Sequence, residues 1–179
     1  NVTVIFGDGA GAAVLSRSEE DGRGILSSHL HSEGKHAKEL ALEGPSTSRW
    51  VPEIIAENNP DDESYYPYMN GQFVFKHAVV RFSEAIIEGL EANGLQKEDI
   101  NMLIPHQANL RIAQFIQRKF QLNDDQVYNN IMNYGNTTAA SVIIALTEAW
   151  EKGKINEGDL VVLAAFGSGF TWGSVVVRW

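Results

Sequence analysis

The pattern of apolar and polar residues predicts strands in the first part of the chain. We predict strands at residues 2–6, 10–15 and 25–31, with glycine-containing turns at residues 7–9 and 22–24 between them. From residue 32 to about residue 70 the periodicity fails, and prolines interrupt the chain. We expect a long loop there, with one helical turn at residues 50–55. Loops of that length in a compact domain usually serve a function or contact a partner.

The second part of the chain alternates helical and strand patterns. Apolar residues recur every three or four positions, which predicts amphipathic helices at residues 71–93, 109–121 and 138–153. Short apolar runs predict strands at residues 101–105, 127–131, 159–166 and 171–178, the last two joined by a turn at residues 167–169. The residues predicted to face inward are, helix by helix, Phe75, Val79, Phe82, Ile86 and Leu90; Ile112, Phe115 and Ile116; and Ala139, Ile143, Leu146 and Trp150.

This order of elements predicts an α/β domain with a mixed five-stranded sheet covered by helices. The sequence has no internal repeat and no linker, so residues 1–179 are predicted to form one domain. The chain begins with Asn1 directly before a predicted strand, and we therefore interpret it as part of a larger enzyme.

Composition excludes several classes of protein. The longest apolar runs are far short of the roughly 20 residues that span a bilayer, and no signal peptide is visible, so we expect a cytoplasmic protein without a membrane segment. A net charge of −9 argues against nucleic-acid binding. The absence of cysteine excludes disulfides, thiolate metal sites and a cysteine nucleophile within this chain. The histidines at positions 29, 31 and 36 lack metal-ligand spacing, and we predict no metal or cofactor.

Two polar side chains stand where strands give way to helices. His106 follows an apolar run and Pro105, and Asn136 follows Gly135 shortly before the last predicted helix. In α/β proteins, ligands bind beside such strand ends and helix N-termini. We expect the two side chains to donate hydrogen bonds to one developing negative charge, with His106 as a neutral imidazole helped by a helix dipole. The alternatives are a histidine that caps a turn and an asparagine that only forms a cap or turn.

Four segments in order along the chain resemble the β-ketoacyl-[acyl-carrier-protein] synthase III family of the thiolase superfamily. They are Gly7-Asp8-Gly9-Ala10-Gly11-Ala12, Pro105-His106-Gln107-Ala108-Asn109-Leu110-Arg111-Ile112, Tyr134-Gly135-Asn136-Thr137 and residues 165–174. The resemblance implies the C-terminal half of a thiolase-like fold of two similar halves in five α-β-α-β-α layers. The active-site cysteine would lie in the N-terminal half, so this chain alone is expected to be inactive.

The resemblance also implies an activity and its partners. A cysteine of the other half would be acylated by an acyl-CoA, and malonyl-carrier protein would then be decarboxylated and condensed with that acyl group in a Claisen reaction. His106 and Asn136 would be the oxyanion-hole donors of a cytoplasmic enzyme that is a homodimer when complete. Positions that line the substrate or CoA tunnel in relatives correspond to Asn109, Phe166, Phe75, Met69 and Gly71. For Phe75 the alternative is plain core, since it lies on the predicted helix stripe.

A local basic cluster stands out in this acidic chain. Arg111 and Arg118 share one polar helix face, with Lys119 beside them and Lys76 on the preceding predicted helix. In the family, the equivalents of Lys76, Arg111 and Arg118 dock the acidic carrier protein. The alternative for this face is an ordinary solvated surface.

Three other interpretations remain open. The chain could belong to another thiolase relative, such as a polyketide or other starter-unit enzyme or a hydroxymethylglutaryl-CoA synthase. Degradative thiolases fit less well, because they carry a second active-site cysteine in this half. A non-catalytic subunit that kept the fold is the third possibility, and the presence of both His106 and Asn136 argues against it.

Overall fold

The computed structural model describes residues 3–44 and 66–179. Its strands are β1 (Gly24–Ser32), β2 (Leu40–Ala41), β3 (Tyr68–Met69), β4 (Met102–Pro105), β5 (Leu160–Gly167) and β6 (Thr171–Arg178). Its α-helices are α1 (Gly71–Ala92), α2 (Leu110–Phe120), α3 (Ile131–Tyr134) and α4 (Ala140–Glu151). Short 3₁₀ turns occupy Thr3–Ile5, Gly34–Glu39, Lys97–Asp99 and Asp124–Gln126. The predicted helical turn at residues 50–55 lies outside the described residues.

The main sheet is mixed and has four strands in the order β1-β6-β5-β4. Strand β4 runs parallel to β5, and the β5-β6 and β1-β6 pairs are antiparallel. The predicted closing hairpin is confirmed, with Phe166 opposite Trp172 and Gly167 opposite Thr171. The α/β class is therefore confirmed, and the prediction of five strands is wrong for the described residues. Strands β2 and β3 form a separate two-stranded ribbon.

One face of the main sheet is covered by α1 and α2. Helix α1 forms as predicted, because its apolar residues fall on one stripe, and Phe82 and Ile86 are almost completely buried. It ends at Asn93 and Gly94, the latter with a φ of 64°. Helix α2 begins at the N-cap Asn109 and buries Ile112 and Ile116. Phe115 was predicted to face inward but is 37% exposed, because the buried stripe continues at Ala113, Ile116 and Phe120 instead.

The opposite face of the sheet is covered in part by α4, which packs on β4 and β5. The stripe predicted for this helix is correct for Leu146, which packs against the core, and wrong for its two ends. The buried residues are the small ones, Ser141, Ala145 and Ala149, whereas Ala139 and Trp150 are exposed. The helix is apolar on most sides, so periodicity could not select the side that meets the sheet. Its close approach to the strands favours small side chains.

Three predicted strands are not formed. Residues 3–5 form a 3₁₀ turn, after which Phe6 makes a single parallel bridge to Asn136. Residues 10–15 are exposed and unpaired within the described part of the chain, and Val14 is 96% exposed. The run at 127–131 reduces to one bridge between Val127 and Leu103. Strands need a neighbour for their backbone groups, and the described residues supply only isolated bridges here.

Candidate functional site

His106 lies directly after β4, at the carboxyl end of the parallel pair of strands. Its backbone N–H donates to the carbonyl oxygen of Ala164 on β5 at 2.8 Å, which extends the strand ladder by one residue. Its own carbonyl accepts from the N–H of Ala108 at 3.0 Å as the chain turns toward α2. The predicted position of His106 at a strand-to-helix junction is therefore confirmed, and its backbone is held by the sheet.

The imidazole of His106 contacts the first turn of α4. Its Nδ1 lies 2.6 Å from Oγ of Ser141. The same hydroxyl oxygen accepts a hydrogen bond from the backbone N–H of Gln107 at 3.2 Å. Ser141 is 2% exposed, so these contacts are shielded from water. One hydroxyl of α4 thus fixes both the His106 ring and the backbone that follows it.

Burial lowers the pKa of the His106 imidazole from 6.5 to about 4. Removal from water disfavours the charged form of a histidine, and no nearby carboxylate compensates. The ring is therefore neutral at physiological pH, as a hydrogen-bond donor to a developing oxyanion requires. The predicted cause of this neutrality was a helix dipole, whereas the cause in the structure is burial.

Asn136 is buried and its backbone is held on both sides by the N-terminal segment. Its N–H donates to the Ile5 carbonyl at 2.8 Å, and its carbonyl accepts from the Gly7 N–H at 3.0 Å. A side chain at Gly7 would not fit, because a Cβ there would lie 2.0 Å from the carbonyl oxygen of Tyr134. Gly135 has a φ of 69°, which L-residues rarely adopt. These two glycines let the segments approach closely enough to set the position of Asn136.

The side-chain amide of Asn136 has a defined orientation. Its Oδ1 accepts from the backbone N–H of Thr138 at 2.9 Å, which forms an Asx turn before α4. Only the amide oxygen can accept a hydrogen bond from that N–H. The Nδ2 group is therefore the part of the amide that can donate hydrogen bonds to another group. The alternative interpretation of Asn136 as a turn residue is thus correct for its oxygen and leaves its two N–H donors unassigned.

Gln107 joins the loop that carries His106 to the segment that leads toward Asn136. Its Nε2 donates to the carbonyls of Pro105 at 2.7 Å and Tyr128 at 3.2 Å. Its Oε1 accepts from the backbone N–H groups of Asn130 at 3.0 Å and Ile131 at 3.2 Å. Gln107 is 3% exposed. A buried amide with all four positions satisfied rigidly couples the two loops.

Two hydrogen-bond donors remain at this end of α4. Neither Nε2 of His106 nor Nδ2 of Asn136 has a hydrogen-bond partner among residues 3–44 and 66–179. Both belong to loops that pack against the first turn of the same helix. Each of these two atoms can donate a hydrogen bond to an anionic or strongly polarised oxygen.

Four of the residues predicted to line a tunnel are described here by their packing within this chain. Phe166 is buried in the core under α1 and α2 and contacts Phe170 with ring centroids 4.9 Å apart. Phe75 and Met69 pack against the same core. Gly71 is the exposed first residue of α1. The core interpretation of Phe75 therefore describes its place in this chain, and a tunnel role for these residues stays a prediction.

Asn109 and the predicted basic cluster lie around α2. Asn109 caps the helix, with its Oδ1 accepting from the Arg111 N–H at 2.9 Å. Lys76, Arg111 and Arg118 are exposed, and no carboxylate in the described residues pairs with them. Within residues 3–44 and 66–179, these three cations lack a carboxylate partner and can therefore bind an external acidic group.

The described residues show no sign of two other kinds of site. Within residues 3–44 and 66–179, His, Asp and Glu side chains form no group of three arranged to hold a metal ion. None of the helices described is both long and apolar enough to cross a membrane.

Comparison with known proteins identifies the family. Residues 90–179 match the family model of the C-terminal part of 3-oxoacyl-[acyl-carrier-protein] synthase III, also called β-ketoacyl-[acyl-carrier-protein] synthase III. The chain belongs to this family. Residues 1–34 match a second model of 3-oxoacyl-[acyl-carrier-protein] synthase III. The resemblance inferred from the four sequence segments is therefore confirmed.

Individual members of the synthase III family are similar over the whole chain. The β-ketoacyl-[acyl-carrier-protein] synthase III of Rhodospirillum centenum is 47% identical over 98% of this chain and 52% of its own length. That of Caldanaerobacter subterraneus is 47% identical over 100% of this chain and 53% of its own. The chain therefore spans about half the length of the curated relatives it matches.

Solved structures agree with this assignment and confirm the thiolase-like fold. The synthase III of Aquifex aeolicus superimposes with a TM-score of 0.78 at 36% identity, covering 92% of this chain and 47% of that one. The priming β-ketosynthase of the R1128 polyketide pathway gives a TM-score of 0.71 at 26% identity, over 88% of this chain and 46% of that one.

Three residues that hold the site were not predicted from the synthase III sequence: Ser141, Gln107 and Gly7. Ser141 is a polar residue on an apolar helix, which is the only signal that could have drawn attention to it. Gln107 stands between His106 and the start of α2 and gave no sign of which backbone groups it binds. Gly7 lies in a glycine-rich turn whose contact with Tyr134 spans more than 120 residues of sequence.

Proposed function

We propose that this chain supplies the oxyanion-stabilising half of a condensing enzyme that initiates fatty-acid synthesis. The proposal is supported by two neutral donors, Nε2 of His106 and Nδ2 of Asn136, which lie in loops at one end of α4 and have no hydrogen-bond partner in the described residues. Membership of the synthase III family supplies the reaction class. Neutral donors suit a reaction in which negative charge develops on a thioester oxygen and then disappears.

The proposed reaction has two stages. The thiolate of a cysteine in the second half attacks an acyl-CoA, and free CoA leaves. Malonyl-carrier protein then loses CO₂, and the electrons of the broken C–C bond form an enolate on the thioester. The enolate carbon attacks the acyl-cysteine carbonyl, a new C–C bond forms, and the cysteine thiolate leaves. The product is a β-ketoacyl thioester on the carrier.

His106 and Asn136 act in the second stage. Both donate to the malonyl thioester oxygen while the enolate exists, and neither needs to transfer a proton. Because burial keeps the pKa of His106 at about 4, the imidazole is neutral. It therefore stabilises the enolate oxygen as a hydrogen-bond donor. Each donor is expected to contribute about 3 kcal/mol, or 10²- to 10³-fold in rate.

The roles are tested by separating the two stages in the assembled enzyme. His106→Ala and Asn136→Ala should each lower malonyl decarboxylation and condensation by 10²- to 10³-fold, while acylation of the cysteine by acyl-CoA persists. His77→Ala is a control for the removal of a partly buried histidine, since the Nδ1 of His77 bonds the backbone oxygen of Phe73 and its ring packs against other aromatic rings. Loss of acylation with intact decarboxylation would contradict the assignment.

A second, cysteine-bearing half is proposed to cover the apolar surface around α4. Trp150 is 54% exposed on α4, and Leu30 is 81% exposed on β1, on the sheet face that α4 covers only in part. The unpaired segment at residues 10–15 adds further exposed apolar side chains. The relatives are about twice as long as this chain, which is the length that a second half requires.

Expression of this chain with and without the cysteine-bearing half tests that proposal. Alone, residues 1–179 should aggregate or self-associate, because monomers rarely leave such large apolar patches in water. Together with the other half, they should elute as one particle with condensing activity. A well-behaved monomer of the isolated chain would contradict the half-fold proposal. The complete enzyme is proposed to be a cytoplasmic homodimer.

The carrier protein is proposed to dock on Lys76, Arg111 and Arg118. These three cations are exposed and unpaired in the described residues, on a chain whose net charge is −9. An acidic partner would be steered to this cluster by long-range attraction. Arg111 follows Asn109 at the start of α2, close in sequence to His106, so a docked carrier would deliver its prosthetic arm toward the two donors.

Polyketide starter-unit condensation is a second candidate for the same site. The similarity to the R1128 priming ketosynthase favours it, and the higher identity to fatty-acid relatives favours the first proposal. The chemistry at His106 and Asn136 is the same in both. Comparison of kcat/KM for acetyl-CoA with that for longer acyl-CoA starters, using the assembled enzyme, distinguishes the two.

A further inference from the structure

We propose that Ser141 is a positioning residue that holds His106 in the tautomer with its proton on Nε2. This inference rests on the proposed function of His106 as a donor and extends it to the group behind the ring. Ser141 reaches no substrate in this scheme and acts only through the imidazole. It is the second residue of α4, where the helix backbone fixes the direction of its Cα–Cβ bond.

The hydrogen-bond partners of the Ser141 hydroxyl determine where its proton goes. Oγ accepts from the backbone N–H of Gln107 at 3.2 Å, and that group can only donate. The other partner of Oγ in the described structure is Nδ1 of His106 at 2.6 Å. The Ser141 hydroxyl proton therefore points at Nδ1, which must accept it with its lone pair.

The charge state of the ring completes the argument. The His106 imidazole is neutral at physiological pH, since burial holds its pKa at about 4, and it carries one N–H proton. With Nδ1 as the acceptor, that proton resides on Nε2. Nε2 is the nitrogen without a partner among the described residues and is the atom available to a substrate oxygen.

The other tautomer leaves a buried hydroxyl proton unpaired. If Nδ1 carried the proton, Oγ of Ser141 would accept from both Nδ1 and the Gln107 N–H, and its own O–H would find no acceptor in the described residues. Ser141 is 2% exposed, so water would not readily replace the missing partner. An unsatisfied buried hydroxyl is strongly disfavoured. That tautomer would also present a bare lone pair, rather than a donor, to an oxyanion.

The tautomer can be measured directly by NMR on the assembled enzyme labelled with ¹⁵N-histidine. The couplings of the ring nitrogens to the ring carbon-bound protons show which nitrogen carries the proton, and the signal lost in His106→Gln assigns the residue. We expect Nε2–H in the parent protein and a substantial Nδ1–H population in Ser141→Ala. Ser83→Ala is a matched control, because Ser83 is an equally buried helical serine that bonds only the Val79 carbonyl.

Kinetics on the same variants connects the tautomer to the reaction. We expect Ser141→Ala to lower kcat for malonyl decarboxylation roughly 10-fold, with little change in KM and in cysteine acylation. Ser141→Thr, which keeps the hydroxyl, should restore both the tautomer and the rate, and Ser141→Cys, a weaker donor, should be intermediate. Ser83→Ala should behave like the parent.

The outcomes separate this inference from the proposed function. A parent protein with Nδ1–H, or an unchanged Nε2–H tautomer in Ser141→Ala, would overturn the role of Ser141. A tautomer that shifts in Ser141→Ala without any loss of decarboxylation would support the role of Ser141 and overturn that of His106 as an oxyanion donor. A shift of the tautomer together with a loss of rate supports both.

Discussion

Replacement of Gln107 by methionine should damage stability and activity together. The two side chains have similar length and volume, so packing is largely kept. The change removes the side chain's four hydrogen bonds, to the carbonyls of Pro105 and Tyr128 and the N–H groups of Asn130 and Ile131. Each of these backbone groups loses a partner in a site that is 3% exposed.

The expected decrease in the free energy of unfolding follows from the number of hydrogen bonds that Gln107 makes. A single hydrogen bond contributes roughly 0.5–1.5 kcal/mol net, so four give roughly 2–6 kcal/mol. The loss should fall in the upper part of that range, because buried partners left unsatisfied are more costly than the bond itself is worth. A decrease of that size is a large share of the stability of a typical domain.

Denaturant unfolding of the assembled enzyme measures this effect. The matched control is Gln117→Met, since Gln117 lies on α2 and makes one exposed hydrogen bond, to Asp124 at 2.8 Å. That control should remain within about 0.5 kcal/mol of the parent. Because Gln107 couples the loops of His106 and Asn136, kcat for decarboxylation should also fall, by up to about 10²-fold for a displacement near 1 Å. Equal stability and equal kcat in Gln107→Met and Gln117→Met would refute the coupling of the two loops by Gln107.

Three further predictions concern Gly7, the pKa of His106 and the exposed Arg111. Gly7→Ala should destabilise the protein by about 1–3 kcal/mol, because its Cβ would lie 2.0 Å from the Tyr134 carbonyl oxygen, whereas Gly34→Ala meets nothing within 4 Å and should be neutral in thermal unfolding. The pKa of His106 is about 4 in the folded protein and 6.5 without burial, so unfolding takes up a proton between those values. Roughly 3 kcal/mol of stability should thus be lost as pH falls from 6.5 to 4, and His106→Gln should remove this component from the unfolding profile; an identical profile would contradict it. Arg111→Glu should raise KM for malonyl-carrier protein more than for acetyl-CoA, with a difference that shrinks at high salt; equal, salt-independent losses would place the docking surface elsewhere.

The parts of the fold that sequence predicted correctly are those whose pattern and partners lie within the chain. Helix α1 has a long apolar stripe with a clear stop, and β5 and β6 are adjacent strands joined by a tight turn. Residues 10–15 carry a comparable strand pattern but no partner strand in the described residues. Pattern shows that a segment could pair and does not show whether its partner is present. Helix α4 itself was predicted, but its buried face was not, because a helix that is apolar on most sides has no distinct apolar stripe.

The residues of the candidate site also differ in whether the sequence could predict their role. His106 and Asn136 could be found because each stands at a junction between a strand or turn and a helix. Ser141 and Gln107 could not be assigned a role, because their importance lies in contacts over 21 to 35 residues of sequence separation. Neutrality of His106 was expected from a helix dipole and arises from burial, a property that depends on the complete packing.

A crystal structure of the assembled enzyme with a bound malonyl thioester analogue tests the central claim most directly. We expect both Nε2 of His106 and Nδ2 of Asn136 to lie about 2.7–3.1 Å from the thioester carbonyl oxygen, with the Ser141 hydroxyl still hydrogen-bonded to Nδ1 of His106. Side chains directed to opposite faces of the sheet, or a thioester oxygen held by other donors, would contradict it.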